Sequence, residues 1–453
     1  MPGSRPLSCA TSTCSCSAAA ADRAPQRAAG RALCAPGKFC RPDPSGFSTF
    51  RRPRSTYSGV MHHRSAILLL NIAHAVDHMA LLIFATAVGS IAREFGLARW
   101  EDLMPYGVGA FVMFGLGSLP SGRLGDLWGR RAMMIVFFFG IGSSSLLAAL
   151  AQGPWQLAAA LALIGAFASI YHPVGIPMLL QGAARPGATI GLNGLAGNLG
   201  IAVAAGLTGL LMQALGWRAA FALPGLACLV LGWVFMRVVP PETEPPARRK
   251  GSAQLQLSRA QVARVLAVMT LASATGGVLF NLTTNGNAQL LTERFAGVMD
   301  DPARLGLLLA GIYAVASLAQ VVVGRLIDRV ALKPLYLGVV LAQVPLLLFT
   351  AQAQGWWAWV GLLGTMIFVF GAIPFTDAMI ARYVDDAMRS RVAGIRLAVS
   401  LGISSLAVWL LGPLVKGVGF QTLLWVMAGV ALCTVVTVLG LPGQGPGSEL
   451  RAR

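Results

Sequence analysis

From Ser65 onward the chain alternates between long apolar runs and short polar breaks. Twelve runs stand out, at 66–90, 103–122, 131–152, 155–182, 189–214, 219–239, 264–290, 304–326, 334–353, 356–381, 391–414 and 420–440. Each is close to the ~20 apolar residues a helix needs to cross a bilayer. The longest break between runs extends from Pro240 to Arg264 and leaves six runs on either side. The runs are too long and too continuous for barrel strands, and open sheets cannot expose backbone groups to lipid. The pattern therefore predicts an all-α polytopic membrane protein with twelve transmembrane helices in two six-helix halves. The expected organisation is a tail over 1–60, a first bundle over 61–239, a cytoplasmic linker over 240–263, a second bundle over 264–441 and a cytoplasmic tail over 442–453.

Composition agrees. The chain is 56% hydrophobic and 11% charged, against roughly 25% charged in a soluble domain. The net charge of +18 raises the question of nucleic acid. No basic stretch is interleaved with aromatics in a compact polar domain, so nucleic acid is excluded as a partner and the lipid bilayer is expected. Basic residues collect instead in alternate breaks. With both termini placed in the cytoplasm, only Arg93, Arg99, Arg218, Arg294, Arg304 and Lys416 of the 35 Lys and Arg fall on the other side, which is the bias of cytoplasmic loops. An inner or plasma membrane location follows.

Residues 1–60 are rich in Ala, Arg, Pro, Ser and Cys and hold only Asp22 and Asp43 as acids. No apolar run there is long enough for a signal-peptide core. The segment reads as a transit peptide, as a disordered tail, or as a mis-called start preceding Met61. Its cysteines have no His at metal-ligand spacing. The expectation is no metal and no cofactor.

The break after the second run carries the most information: Gly122-Arg123-Leu124-Gly125-Asp126-Leu127-Trp128-Gly129-Arg130-Arg131. A shorter copy, Gly324-Arg325-Leu326-Ile327-Asp328-Arg329 with Lys333 beyond it, follows 202 positions later. Gly191 and Gly394 are 203 apart, so the register holds elsewhere. Two halves in parallel register imply a pseudo-twofold axis along the membrane normal. Asp126 on the rim is placed to accept hydrogen bonds from a helix N-terminus. Gly122, Asp126, Gly129, Arg130, Arg131, Gly324, Asp328 and Arg329 are thus expected to form a conformational latch.

This glycine-x-x-x-aspartate-x-x-glycine-basic-basic run, with its degenerate second copy, resembles the signature motif of the major facilitator superfamily. Gly216-Trp217-Arg218 is also typical, and the resemblance covers about 64–441. It implies the major facilitator fold and alternating access. A finer resemblance, through His74, Tyr171-His172-Pro173 and Gly197-Asn198-Leu199-Gly200, is to the fosmidomycin-resistance group of efflux carriers. It leans the expectation towards export of a small molecule. Import of a metabolite, or a receptor or scaffold that moves nothing, are the alternatives. No phosphate-cradling loop, zinc-spaced His/Glu set or Gly-x-Ser-x-Gly elbow occurs, so ATP-driven transport and catalysis are not expected. A monomer is expected.

The chemistry should lie within the spans. An ionisable group at a membrane centre costs at least ~2.5–3.5 kcal/mol and usually faces a cavity. The first run carries Asn71, His74, Asp77 and His78, the densest polar cluster in the apolar part of the chain. Asp77 is the leading proton carrier, with His74 and His78 able to relay. Asp377 is a second proton site or one partner of an ion pair. Tyr171 and His172 beside Pro173 and Pro177 suit a bent substrate helix or gate. Asn281, Thr284 and Asn285 share a neutral helix face that would line a cavity or bond a neighbouring helix. Arg396 would hold an anionic substrate or snorkel to the interface.

Overall fold

The computed structural model describes residues 56–181, 186–241, 259–383 and 386–441. The tails and most of the central linker lie outside these, as do the side chains of Asp377 and Arg396. All described regular structure is helical. The helices are α1 (Thr56–Glu94), α2 (Val108–Trp128), α3 (Arg130–Ala149), α4 (Pro154–Ala168), α5 (Ile176–Leu180), α6 (Pro186–Leu215), α7 (Trp217–Val238), α8 (Arg259–Arg294), α9 (Pro302–Ile327), α10 (Leu332–Gln352), α11 (Gly355–Tyr383) and α12 (Asp386–Leu439). Two 3₁₀ turns, Trp100–Asp102 and Met104–Gly107, link α1 to α2. Among the described residues, eleven helical segments are long and apolar enough to cross a membrane.

Local chemistry sets the breaks. Asp301 caps α9 by accepting from the Ala303 and Arg304 amides, with Pro302 at the first helical position, where its missing N–H goes unmissed. Gly216 separates α6 from α7 with φ 86° and ψ 169°. Gly419 has nearly the same backbone, φ 75° and ψ 167°, inside α12. Both sit in a region that L side chains enter only at a cost, which is what glycine supplies. They are 203 positions apart, the spacing already seen between Gly191 and Gly394.

The helix ends are tied by basic side chains. Arg131, at the start of α3, donates to the carbonyls of Val239 and Met236, each at 2.5 Å. Lys333, at the start of α10, donates to the carbonyls of Leu439 and Leu441, each at 2.8 Å. At the other end of the bundle Glu94 pairs with Arg218 and accepts from Trp217 Nε1 at 2.6 Å.

The outer surface is apolar. Trp155 is 78% exposed and Leu150, Trp357 and Val298 are similar, which lipid rather than water would cover. Inside, small residues bring backbones together. A Cβ at Gly200 would collide with the Ala75 carbonyl, and one at Gly209 would reach within 2.5 Å of the Pro302 carbonyl. α6 thus lies against both α1 and α9.

Candidate functional site

The middle of α1 projects His74, Asp77 and His78 towards α4 and α6. His74 and His78 are one turn apart and meet side by side, Nε2 to Nε2 at 3.1 Å, as i and i+4 positions on a helix do. Asp77 lies round the helix from them and is fully buried.

The facing element is a π-helical turn, Tyr171–Gly175, between α4 and α5. Pro173 and Pro177 fall in and just after it. Proline removes a backbone donor and forces the helix to bend, and such π segments recur at functional sites. The bend presents His172, whose Nε2 stands 3.5 Å from Asp77 Oδ2. It also presents Tyr171, which stacks on His74 with centroids 4.7 Å apart and donates to the Leu70 carbonyl at 2.9 Å. Phe114 of α2 closes the edge against His172 at 5.8 Å.

α6 supplies the third wall. Gly197 leaves room for the His74 ring, which a Cβ there would approach to 2.6 Å. The Asn193 carbonyl accepts from His74 Nδ1 at 2.7 Å. Since a carbonyl can only accept, Nδ1 carries the hydrogen and Nε2 keeps its lone pair. The Asn193 amide donates to Tyr171 Oη at 2.7 Å and to Asn71 Oδ1 at 3.0 Å. Asn71 in turn donates to the Ile67 carbonyl at 2.9 Å. One asparagine thus ties α1, the π turn and α6 together.

Against this tightly bonded frame, Asp77 is the exception. Neither of its oxygens makes a hydrogen bond among the described residues. A buried carboxylate without a hydrogen bond is unfavourable by several kcal/mol if charged, and is relieved by a proton or a cation alongside. His78 and His172 are only half-buried, so the cluster opens on one side.

The sequence-expected site residues thus fall into two groups. His74, Asp77, His78, Tyr171, His172 and Asn71 come together in one cluster. Asn281, Thr284 and Asn285 form a separate buried set on α8. Asn281 donates to Ser404 Oγ at 2.8 Å and to the Gly277 carbonyl at 2.9 Å, while Thr284 and Asn285 bond their own helix. The backbones of Asp377 and Arg396 are helical, in α11 and α12. Asp126 and Asp328 lie exposed at the rim. Sequence reading missed Asn193. Its signal was an amide in an otherwise apolar, glycine-rich run, beside Asn198, which it did single out.

A separate cavity of about 430 Å³ lies at the C-terminal end of α1, lined by Arg93, Arg99, Glu101, Gln289, Thr292 and Asp300 among others. Arg99 pairs there with Glu101 at 2.6 Å, which holds its guanidinium above the usual pKa. None of the His–Asp cluster lines this cavity.

A bundle of long apolar helices with ionisable groups buried at mid-span is the architecture of a polytopic membrane protein. The chain belongs to the Major Facilitator Superfamily, whose sequence profile matches residues 70–299. It is 32% identical over 193 residues to a probable actinorhodin transporter of Streptomyces coelicolor, covering 41% of this chain and 32% of that protein. It is also 32% identical over 136 residues to a puromycin resistance protein of Streptomyces alboniger, covering 29% and 27%. The matches span about a third or less of these relatives' length. Among solved structures, it resembles an inward-facing, occupied bacterial homologue of the human lysosomal transporter Spinster, with TM-score 0.64, 14% identity, and 84% and 94% of the two chains covered. The human organic anion transporter MFSD10 gives TM-score 0.63 at 16% identity, with 83% and 99% covered. At these identities the structural likeness concerns the fold.

Proposed function

We propose that the protein is a secondary active transporter that exports a small molecule by alternating access, driven by protons exchanged at Asp77. The observation that carries this reading is the buried carboxylate of Asp77 without a hydrogen-bond partner, 3.5 Å from a half-buried histidine. Protonated, the group is compatible with its surroundings; ionised, it is not, so its proton is coupled to whatever opens or closes the cluster. His172, His78 and His74 provide the relay. Asn71 and the half-buried His172 are the first candidates for contact with the cargo, with Asn281, Thr284, Asn285 and Arg396 as further lining and Asp377 as a second proton site.

The reading takes the chain as twelve spans in two six-helix halves, 61–239 and 264–441, joined by a cytoplasmic linker. The span Gly402–Leu439 holds 38 residues, a helix of ~57 Å, nearly twice the ~30 Å hydrocarbon core. Gly419 divides it as Gly216 divides α6 from α7. The paired Arg131 and Lys333 contacts support the same repeat. Both termini are placed in the cytoplasm, the working unit is a monomer, and the loops around Asp126 and Asp328 act as the latch. Export is favoured by the relatives described as an actinorhodin transporter and a puromycin resistance protein.

The test is flux in proteoliposomes with an imposed pH gradient, with puromycin and actinorhodin as the first compounds and a screen in exporter-deficient cells to widen the set. Transport should follow the gradient and fall at least about tenfold in Asp77→Asn, the order expected from losing one coupled charge. Flux indifferent to both the gradient and Asp77→Asn would overturn proton coupling at this residue. No flux of any compound would favour the receptor reading.

A further inference from the structure

The geometry points to a binding site for a divalent transition-metal ion of the zinc class, made by His74, His78 and His172 beside Asp77. The three imidazoles each offer a ring nitrogen, and these nitrogens all lie within 4.8 Å of one another. Zinc–imidazole bonds of 2.0–2.1 Å in a tetrahedron place neighbouring ligand nitrogens about 3.3 Å apart. His74 Nε2 and His78 Nε2 are 3.1 Å apart, so one small inward or outward turn of either ring accommodates an ion between them.

The surroundings match as well. A metal-bound histidine is usually oriented by a second partner on its other nitrogen, a carbonyl or a carboxylate. His74 has the first kind: its Nδ1 is committed to the Asn193 carbonyl at 2.7 Å, leaving Nε2 with a lone pair aimed at His78. His172 has the second kind of neighbour in Asp77, 3.5 Å from its Nε2, which leaves Nδ1 as its ligand atom. That buried carboxylate has no hydrogen bond among the described residues, and a cation alongside would offset its charge. Imidazole nitrogens select zinc, cobalt, nickel or copper, whereas magnesium and calcium require mostly oxygen ligands. Three protein nitrogens with an approach left open past the half-buried His78 and His172 leave a coordination position free. Metal binding at these imidazoles is independent of whether the protein moves a cargo.

The experiment uses the full-length protein, purified without a histidine tag, in detergent or nanodiscs. Zn²⁺ retained after desalting is quantified, Co²⁺ is titrated as a spectroscopic probe, and His78→Gln and His172→Gln are compared with wild type. Wild type should retain one Zn²⁺ per chain more than the double variant His78→Gln/His172→Gln. Co²⁺ should give the absorption of a four- or five-coordinate nitrogen site, each single variant should bind at least about tenfold more weakly, and Mg²⁺ should not compete. Zn²⁺ should also raise the melting temperature of wild type, a readout that needs no folded variant. Equal metal in wild type and the double variant would overturn the inference, as would a Co²⁺ spectrum of the aqueous ion or no thermal shift. Proton-driven flux from a chain that binds no Zn²⁺ would sink this inference alone and leave the transport reading standing.

Discussion

Arg131 and Lys333, 202 positions apart, hold the same thing. Each starts a helix and donates to two carbonyls at the end of another, Met236 and Val239 in one case and Leu439 and Leu441 in the other. The carbonyls at a helix C-terminus have no intrahelical partners and carry partial negative charge, so a cation there satisfies both needs. Arg131→Lys should therefore keep most of the stability, because lysine already does this work at 333. Arg131→Gln and Lys333→Gln should each lose about 1 kcal/mol, read as a lower melting temperature in detergent. If Arg131→Lys were as destabilised as Arg131→Gln, the contact would be specific to guanidinium and the parallel with Lys333 would fail.

The sequence repeat pointed at both residues without saying what they hold. Charge in a break is legible because lipid forbids it elsewhere; its partner is not, because the two ends meet only after four helices have packed. The same division applies to the site. His74, Asp77 and His78 were conspicuous as ionisable groups in an apolar run. That Asp77 would face His172, and His74 would be steered by a backbone carbonyl, depends on the π turn and on the crossing of α1 with α6. Asn281, Thr284 and Asn285 show the opposite case: a tidy polar stripe whose bonds close on Ser404 and on its own helix.

Gly216 and Gly419 should respond alike to substitution. An alanine at φ 86° and ψ 169°, or φ 75° and ψ 167°, is forced into a backbone region that is almost exclusive to glycine, at about 1–3 kcal/mol. Gly216→Ala and Gly419→Ala should each lower stability by that amount, and the double variant by nearly the sum, since distant sites add. Thermal unfolding of the three variants checks this. A neutral Gly419→Ala would mean that α12 can run straight through, and would remove the argument for dividing it into two spans.

Asn193 should matter more than its single side chain suggests. Its amide donates to the buried Tyr171 and to the half-buried Asn71, and both partners lie around His74. Asn193→Ala keeps the backbone carbonyl that orients His74 but leaves the Asn71 oxygen without its donor. It also takes the donor from the fully buried Tyr171 oxygen, and leaving a buried acceptor unpaired costs about 1–3 kcal/mol. Asn193→Asp should be worse, because a carboxylate would face the Asn71 oxygen with no proton to share. Melting temperatures rank the two; an Asn193→Asp protein as stable as wild type would show that Asn71 can turn its amide round.

The last relationship joins distant parts of the chain at one end of the bundle. Lys416 Nζ reaches Asp102 Oδ1 at 2.5 Å, Trp100 stacks on Phe420 with centroids 6.0 Å apart, and Gly412 lies against the Glu101 carbonyl. The turn between α1 and α2 is thereby pinned to α12 beside the cavity at the end of α1. The ion pair is well exposed, with 45% and 38% of the two side chains accessible, so it contributes no more than about 1 kcal/mol. That is still enough to shift a two-state equilibrium roughly fivefold. If this contact closes that end of a transporter, Lys416→Asp or Asp102→Lys alone should open it, and the two together should close it again. A thiol placed at Gln289, on the cavity wall, in a background without other cysteines, reports this through its rate of modification by a membrane-impermeant reagent. The single reversals should label several-fold faster and the exchanged pair at the original rate. Equal rates in all four proteins would show that the apolar stacking and backbone contacts hold this end without the ion pair.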